Sequence, residues 1–396
     1  MSKQITAVDG GVTAPRGYVA AGTTCGLKAS GKPDLALVAS ERPATVAGTF
    51  TTNLVKAAPV LLCQQRVAAG RARAVIANSG NANACTGEQG MEAAHRMAAA
   101  AARRLDCSPD EILVLSTGVI GVQLPVEKIE AALPGLDLRT GGGEVAARAI
   151  MTTDTRPKTA AVAVEDGGST WHIGGMAKGA GMIHPNMATM LAVITTDADI
   201  IAPVLQRHLS AAVARSFNCI DVDGDTSTND TVLLLANGAS GRVPPPNLFG
   251  EALTRVCISL ARQVAADGEG ATKLIETRVT GAASEAEAAV AARAISSSSL
   301  VKAAMHGNDP NWGRIMCAAG YSGAAFDPAK ARLLVQDVPL FAAGVPLPFD
   351  AAAVSAALRA PEVRIHLELG AGSGEATAWG CDLSPEYVHI NADYTT

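Results

Sequence analysis

The hydrophobic positions of this chain follow two rhythms in turn. Segments with the spacing of an amphipathic helix are separated from short apolar runs of strand character by glycine-rich turns. The Ala-rich segment 91–105 reads as a helix, and its closing pair Arg103-Arg104 suits the negative end of the helix dipole. Ser108-Pro109-Asp110-Glu111 reads as a cap and first turn, leading into a short buried strand at 112–115. Shorter helices are expected at 125–133 and 143–151. Strands at 160–164 and 171–175 are joined by the turn Asp166-Gly167-Gly168, and 190–196 (MLAVITT) is a further buried strand. Long helices are expected over 202–216, 248–266 and 285–304. Late strands at 363–369 and 386–390 would carry the C-terminus into a sheet. The proline-rich stretch 243–246 and the serine run 296–299 are too short to isolate a domain, and no fixed-period repeat is visible. Strands and helices alternate without βαβ regularity, which favours α+β layers over a doubly wound parallel sheet.

Composition excludes several classes of function. With 48% hydrophobic and 17% charged residues, the 396-residue chain has ample material for a core, in two or three domains or one intertwined unit. A net charge of −5 and 3% aromatics argue against a nucleic-acid binder, which needs basic surface and stacking platforms. No apolar run approaches the roughly 18 residues of a membrane span, and the N-terminal residues lack a secretory pattern. A soluble, cytoplasmic protein is expected. The eight cysteines stand at least 22 residues apart with no CxxC pair, so reduced, mostly buried thiols are expected. The seven histidines are equally scattered, and no metal site is expected.

The common catalytic motifs fail. GLKASGKP at 26–33 fits GxxxxGK, but Pro33 stands where a phosphate loop needs a Mg²⁺-binding hydroxyl, so it reads as a surface turn. GAGSG at 370–374 is not a dinucleotide fingerprint, and there is no GxSxG elbow. More unusual is the glycine- and proline-punctuated loop from Lys178 to Met190, which delivers the Thr189 hydroxyl to the start of a buried strand. A strand-starting threonine is its ordinary reading. Thr117-Gly118, after the strand EILVL, places a hydroxyl beside an unhindered backbone N–H; that is the donor pair of an oxyanion hole, or a tight turn. Three polar clusters, 78–83 (NSGNAN), 221–230 (DVDGDTSTND) and 306–314 (HGNDPNWGR), hint at a polar cleft, although local turn bonding explains such clusters well. The acidic one lacks the glycine and closing glutamate of a calcium loop. The last residues, 391–396, follow an expected strand closely enough that the terminal carboxylate is a candidate ligand group.

Taken together, these motifs resemble the glutamate N-acetyltransferase / ornithine acetyltransferase family of arginine biosynthesis, the ArgJ type. The likeness is carried by 78–87, 116–121, 151–155, 178–191, 221–230, 267–273, 306–314 and 391–396, in a fixed order along nearly the whole chain. It implies a layered α/β/β/α-type sandwich with a smaller C-terminal α/β lobe from about residue 280. It also implies self-cleavage between Ala188 and Thr189, giving an α-chain (1–188) and a β-chain (189–396) that stay folded together. Thr189 would be nucleophile, and its freed α-amine the base, a group that titrates near working pH at about 7.7–8.0.

The same resemblance implies ping-pong acetyl transfer from N2-acetylornithine to glutamate through acetyl-Thr189, with Thr117 and Gly118 as oxyanion hole. Thr152, Lys178, Thr189, Glu269, Asn391 and Thr396 match the substrate-binding positions. Lys178 can face a carboxylate, and Glu269 and the Thr396 carboxylate can face ammonium groups. Thr153 could do the work of Thr152. No cofactor is implied; acetyl-CoA stays open as a second acetyl donor, which would make the enzyme bifunctional. A heterotetramer of two α- and two β-chains is the implied assembly. Two alternatives stand beside this reading: a related self-cleaving N-terminal-nucleophile aminopeptidase or amidase, and an uncut amino-acid-binding protein without chemistry.

Overall fold

The computed structural model describes residues 4–184 and 190–393. In chain order its strands begin with Gln4–Ala7 (β1), Tyr18–Thr23 (β2), Leu35–Phe50 (β3), Arg71–Asn81 (β4) and Ile112–Val119 (β5). Lys158–Asp166 (β6), Ser169–Lys178 (β7), Leu191–Thr196 (β8), Ile220–Asp221 (β9) and Thr231–Ala236 (β10) follow. The last are Leu274–Ala282 (β11), Arg332–Val335 (β12), Val338–Ala342 (β13), Val345–Pro346 (β14), Glu362–Glu368 (β15) and Gly374–Cys381 (β16).

Two sheets result, and helices pack on both, so the mixed α+β layering expected from the sequence is the architecture of the chain. The first sheet runs β1-β6-β7-β8-β10-β3-β4-β5, with β2 also on β3; the second runs β14-β13-β12-β15-β11-β16-β9. In the first, among the described residues, only β8–β10 and β4–β5 pair in parallel. The helix Pro246–Ala266 buries Phe249, Leu253, Val256, Leu260 and Val264. It packs on β6 and β7 of the first sheet and on β16 of the second. One core cluster therefore contains Trp171 and Ile194 of the first sheet together with Ile365 and Ala378 of the second.

Several expectations hold with shifted ends. The helix expected at 91–105 is Gly87–Leu105, and the strand at 112–115 extends to Val119. Ser108 and Glu111 form a reciprocal capping box before that strand. The hairpin around Gly167-Gly168 forms, as β6 and β7. The helix expected over 285–304 is two helices, Glu285–Ser297 and Ser299–His306. Ser298 is extended between them, and its side chain accepts from Val301 N, so the serine run is an N-cap inside a continuous apolar pattern.

The strand expected at 386–390 is wrong. Pro385–Asp393 is a helix, so this stretch does not join a sheet. Pro385 and Glu386 are first-turn residues of a helix, and that signal outweighs the apolar run that follows. None of this helix is buried, and Val388 is 63% exposed. The cysteines are all free; Cys63, Cys219, Cys257 and Cys381 are buried, whereas Cys85 and Cys317 are exposed, so "mostly buried" holds for half of them. Among the described residues, no helix is long and apolar enough to cross a membrane.

Candidate active site

The GxxxxGK turn shows why a loop of that kind does not by itself make a phosphate site. Several of the backbone donors at its start are already used: Asp34 accepts Cys25 N at 2.6 Å, Leu27 N at 2.7 Å and Lys28 N at 3.0 Å. A strand, β2, does precede it, but β3 rather than a helix follows.

The ends of β5, β7, β8 and β10 meet in one place. Lys178 closes β7 opposite Leu191, the first residue of β8, and Leu191 also faces Thr231 at the start of β10. Asn229, just ahead of β10, donates to Ala82 O at 2.7 Å and to Ser116 O at 2.8 Å. Ser116 in turn donates to Asn78 Oδ1 at 2.6 Å. Two of the three polar clusters, 78–83 and 221–230, are thereby stitched to the strand end that carries Thr117 and Gly118. The third bonds elsewhere, with His306 Nδ1 2.7 Å from Asp382 Oδ2 and Lys273 Nζ donating to Asn308 Oδ1 at 2.7 Å.

Thr117 is buried and receives Lys178 Nζ at 3.4 Å. An ammonium only donates, so the Thr117 oxygen accepts here and its own O–H is left to point at another acceptor. Gly118 has φ +132, and a Cβ there would lie 2.5 Å from Asn81 N and 2.7 Å from Gly80 Cα. Only glycine allows β4 and β5 to approach so closely.

The other predicted substrate residues converge from separate segments. Thr152 N donates to Asp154 Oδ2 at 2.9 Å, and Gly179 N to Asp154 Oδ1 at 2.7 Å, which joins Thr152 to the residue after Lys178. Glu269 N donates to Ala180 O at 2.8 Å, and Asn391 Nδ2 donates to Glu269 Oε2 at 2.9 Å. Thr117, Gly118, Thr152, Lys178, Glu269 and Asn391 are thus linked through one chain of contacts. Ala188, Thr189 and Thr396 lie outside the described residues. Met190, next to Thr189 in sequence, donates its N–H to Asp230 Oδ1 at 3.0 Å.

Buried charge sets the electrostatics. Burial alone would raise the Asp154 carboxyl, but Lys178 and Lys158 beside it hold it at about 2. Burial lowers the Lys178 ammonium below its ordinary value. Asp230 is raised well above the usual carboxylate range, chiefly by burial. Its Oδ2 has no hydrogen-bond partner among the described residues. Two acids of the calcium-like loop are otherwise engaged: Asp221 faces His184 Nδ1 at 2.9 Å and Lys302 Nζ at 2.9 Å, and Asp223 accepts Met182 N and Ile183 N. Sequence reasoning missed Asp154, Lys158, Asp230 and Asp267 as site residues. Three of them lie inside the quoted motifs, but nothing in the motif text distinguishes a buried structural acid from a solvated one. Lys158 opens the strand KTAAVAV with no local signal at all.

A hydroxyl and a glycine N–H at a strand end, a buried cation beside them, and a carboxylate bonded to an amide are brought into one linked set. The model of the ArgJ family matches residues 19–396. The arginine biosynthesis bifunctional protein ArgJ of Symbiobacterium thermophilum is 55% identical over 397 residues, covering 98% of this chain and 99% of that protein. The protein of the same name from Thermosynechococcus vestitus is 52% identical, with 98% and 99% covered. Among solved structures, ornithine acetyltransferase complexed with ornithine from Mycobacterium tuberculosis is 46% identical, covers 46% of this chain and 98% of that chain, and has a TM-score of 0.43. The chain belongs to the ArgJ family.

Proposed function

We propose that this protein transfers an acetyl group from N2-acetylornithine to glutamate, releasing ornithine and N-acetylglutamate, as a step of arginine biosynthesis. The observation that carries this reading is the joining of Thr117-Gly118, Lys178, Thr152 and Glu269, four distant segments, beside the strand that Thr189 precedes. In this reading the precursor cleaves itself first. The Thr189 hydroxyl attacks the Ala188 carbonyl, the peptide becomes an ester, and water releases the 1–188 chain from a chain that begins with Thr189.

The new α-amine then removes the Thr189 hydroxyl proton as that oxygen attacks the acetyl carbonyl. Thr117 O–H and Gly118 N–H stabilise the charge that develops on the carbonyl oxygen. Ornithine leaves with the proton the amine holds, and glutamate repeats the sequence in reverse on the acetyl ester. Lys178 meets a substrate carboxylate, and Glu269 an ammonium. Because the relatives are named bifunctional, we assign acetyl-CoA as a second donor to the same threonine. The processed unit, an α-chain with a β-chain, is taken to assemble as a dimer of such pairs.

N-terminal sequencing and intact mass of the purified protein, beside Thr189→Ala, test the first step. A second chain beginning Thr-Met-Leu-Ala, absent from the variant, is expected. An active wild-type preparation made of one intact chain would rule out the N-terminal amine as base. Assays with labelled acetylornithine and glutamate, with acetyl-CoA and glutamate, and with a peptide and water then separate transfer from hydrolysis.

A further inference from the structure

Lys158 is the first residue of β6, is 0% exposed, and touches no surface a substrate could reach. Its Nζ lies 2.6 Å from Asp154 Oδ1 and 2.6 Å from Asp267 Oδ2. Each of these carboxylates is then spent on a backbone it holds in place. Asp154 accepts from Thr152 N and Gly179 N. Asp267 accepts Thr155 N at 3.0 Å, and the Thr155 hydroxyl as well. Two residues beyond Asp267 is Glu269, and one before Gly179 is Lys178. One buried ammonium therefore ties together the three segments that present Thr152, Lys178 and Glu269.

We propose that Lys158 is a positioning residue for the reaction: by bridging Asp154 and Asp267 it fixes Thr152, Lys178 and Glu269 in a single array around the substrate. The buried groups balance, with Lys158 and Lys178 against Asp154 and Asp267. A strand-opening lysine with no partner would carry a heavy desolvation cost, which the two carboxylates offset. The groups facing Lys178 are Asp154, Glu269 and Asp230 on one side of the balance, and Lys158 and Lys28 on the other. Lys158 thus works against the charge of Lys178 while holding it in place. Its removal has two separable consequences. The array loosens, and Lys178 keeps its proton to higher pH.

This inference rests on the reading of Lys178 as a substrate residue, and the experiment separates the two. Steady-state kinetics and pH profiles are measured on processed enzyme carrying Lys158→Met, Lys158→Met/Asp267→Asn or Lys178→Met. The double variant removes one cation and one anion together, so it carries the test where the single variant fails to fold. For it we expect KM for acetylornithine and for glutamate to rise about tenfold or more with kcat within about threefold, the signature of lost binding shared by the ground and transition states. In Lys158→Met, where the cation beside Lys178 is lost and the acids remain, the alkaline limb of kcat/KM moves to higher pH. Lys178→Met is expected to raise KM as well. A wild-type KM in Lys178→Met overturns the substrate reading, and this inference with it. A raised KM there, with a wild-type KM in the double variant, overturns the role of Lys158 alone.

Discussion

Gly118→Ala tests the oxyanion assignment with a geometry that leaves little room to adjust. The added methyl would sit 2.5 Å from Asn81 N and 2.7 Å from Gly80 Cα, and both neighbours are backbone of the paired strand β4. Reaching an ordinary contact near 3.4 Å requires the end of β5 to retreat by about 1 Å. The positive φ of +132 adds strain of about 1–3 kcal/mol for any residue with a side chain. A displacement of about 1 Å in a group that stabilises a transition state costs about 10²-fold in rate, or about 2.7 kcal/mol. The expected result is therefore a kcat about 100-fold lower, normalised to the processed fraction, with a smaller change in KM because the donor pair acts mainly on the transition state. The unfolding midpoint should fall as well. A kcat within about threefold of wild type, in a variant that remains folded, would refute the placement of Gly118 at the oxyanion.

Three further outcomes follow from the same geometry. Gly181→Ala places its methyl 2.5 Å from Glu269 Cδ, the far end of a flexible side chain, so the fold should tolerate it while Glu269 swings off Asn391; KM should rise about 3–10-fold at unchanged stability, as read by kinetics and thermal unfolding. Asn229→Ala leaves the carbonyls of Ala82 and Ser116 without their donor in a buried place, so urea unfolding should show a loss of about 1–3 kcal/mol together with a lower kcat. Asp154, held at about 2 against an ordinary 3.8, stabilises the fold by about 2 kcal/mol above its unfolded pKa, and this contribution is lost as pH falls from about 4 through 2. Acid unfolding of Asp154→Asn should accordingly show a shallower pH slope in that window, and an unchanged slope would contradict the assignment.

How much of this was legible in the sequence depends on the kind of information each residue carries. Helices with a clear apolar face, such as Gly87–Leu105, and hairpins marked by paired glycines were readable because their signals are local. The sixteen-residue β3 was not, since Glu41-Arg42-Pro43 interrupts its apolar pattern where the pairing register with β4 shifts. The helix Pro385–Asp393 was misread because Tyr387, Val388, His389 and Ile390 look like a strand, and nothing buried contradicts them; only Ser384-Pro385-Glu386 marks the helix start. Among site residues, Thr117, Gly118, Lys178 and Glu269 stood out as motif text, whereas Lys158 stands alone in an apolar strand.

That asymmetry has a physical origin. A group proposed to meet substrate is presented by a loop or strand end, and glycines or prolines nearby mark the spot in the sequence even where, as at Thr117 and Lys178, the side chain itself is buried. A group that positions others is valuable because it is buried, and burial hides it inside an ordinary strand pattern. Lys158 and Asp154 are four residues apart in sequence, but Asp267 is 109 residues from Lys158, so only the fold reveals that one ammonium joins them. Asp230 is the same case in a different place, an acid inside a polar loop whose burial and whose bond to Met190 N appear only when β8 and β10 lie side by side. On the proposed reading, the chemistry is therefore written in residues that the sequence advertises, while the positioning of those residues rests on ones that it does not. Substitutions at the second group should change KM and pH dependence at least as much as those at Thr152, whose side chain has a neighbour, Thr153, of the same kind.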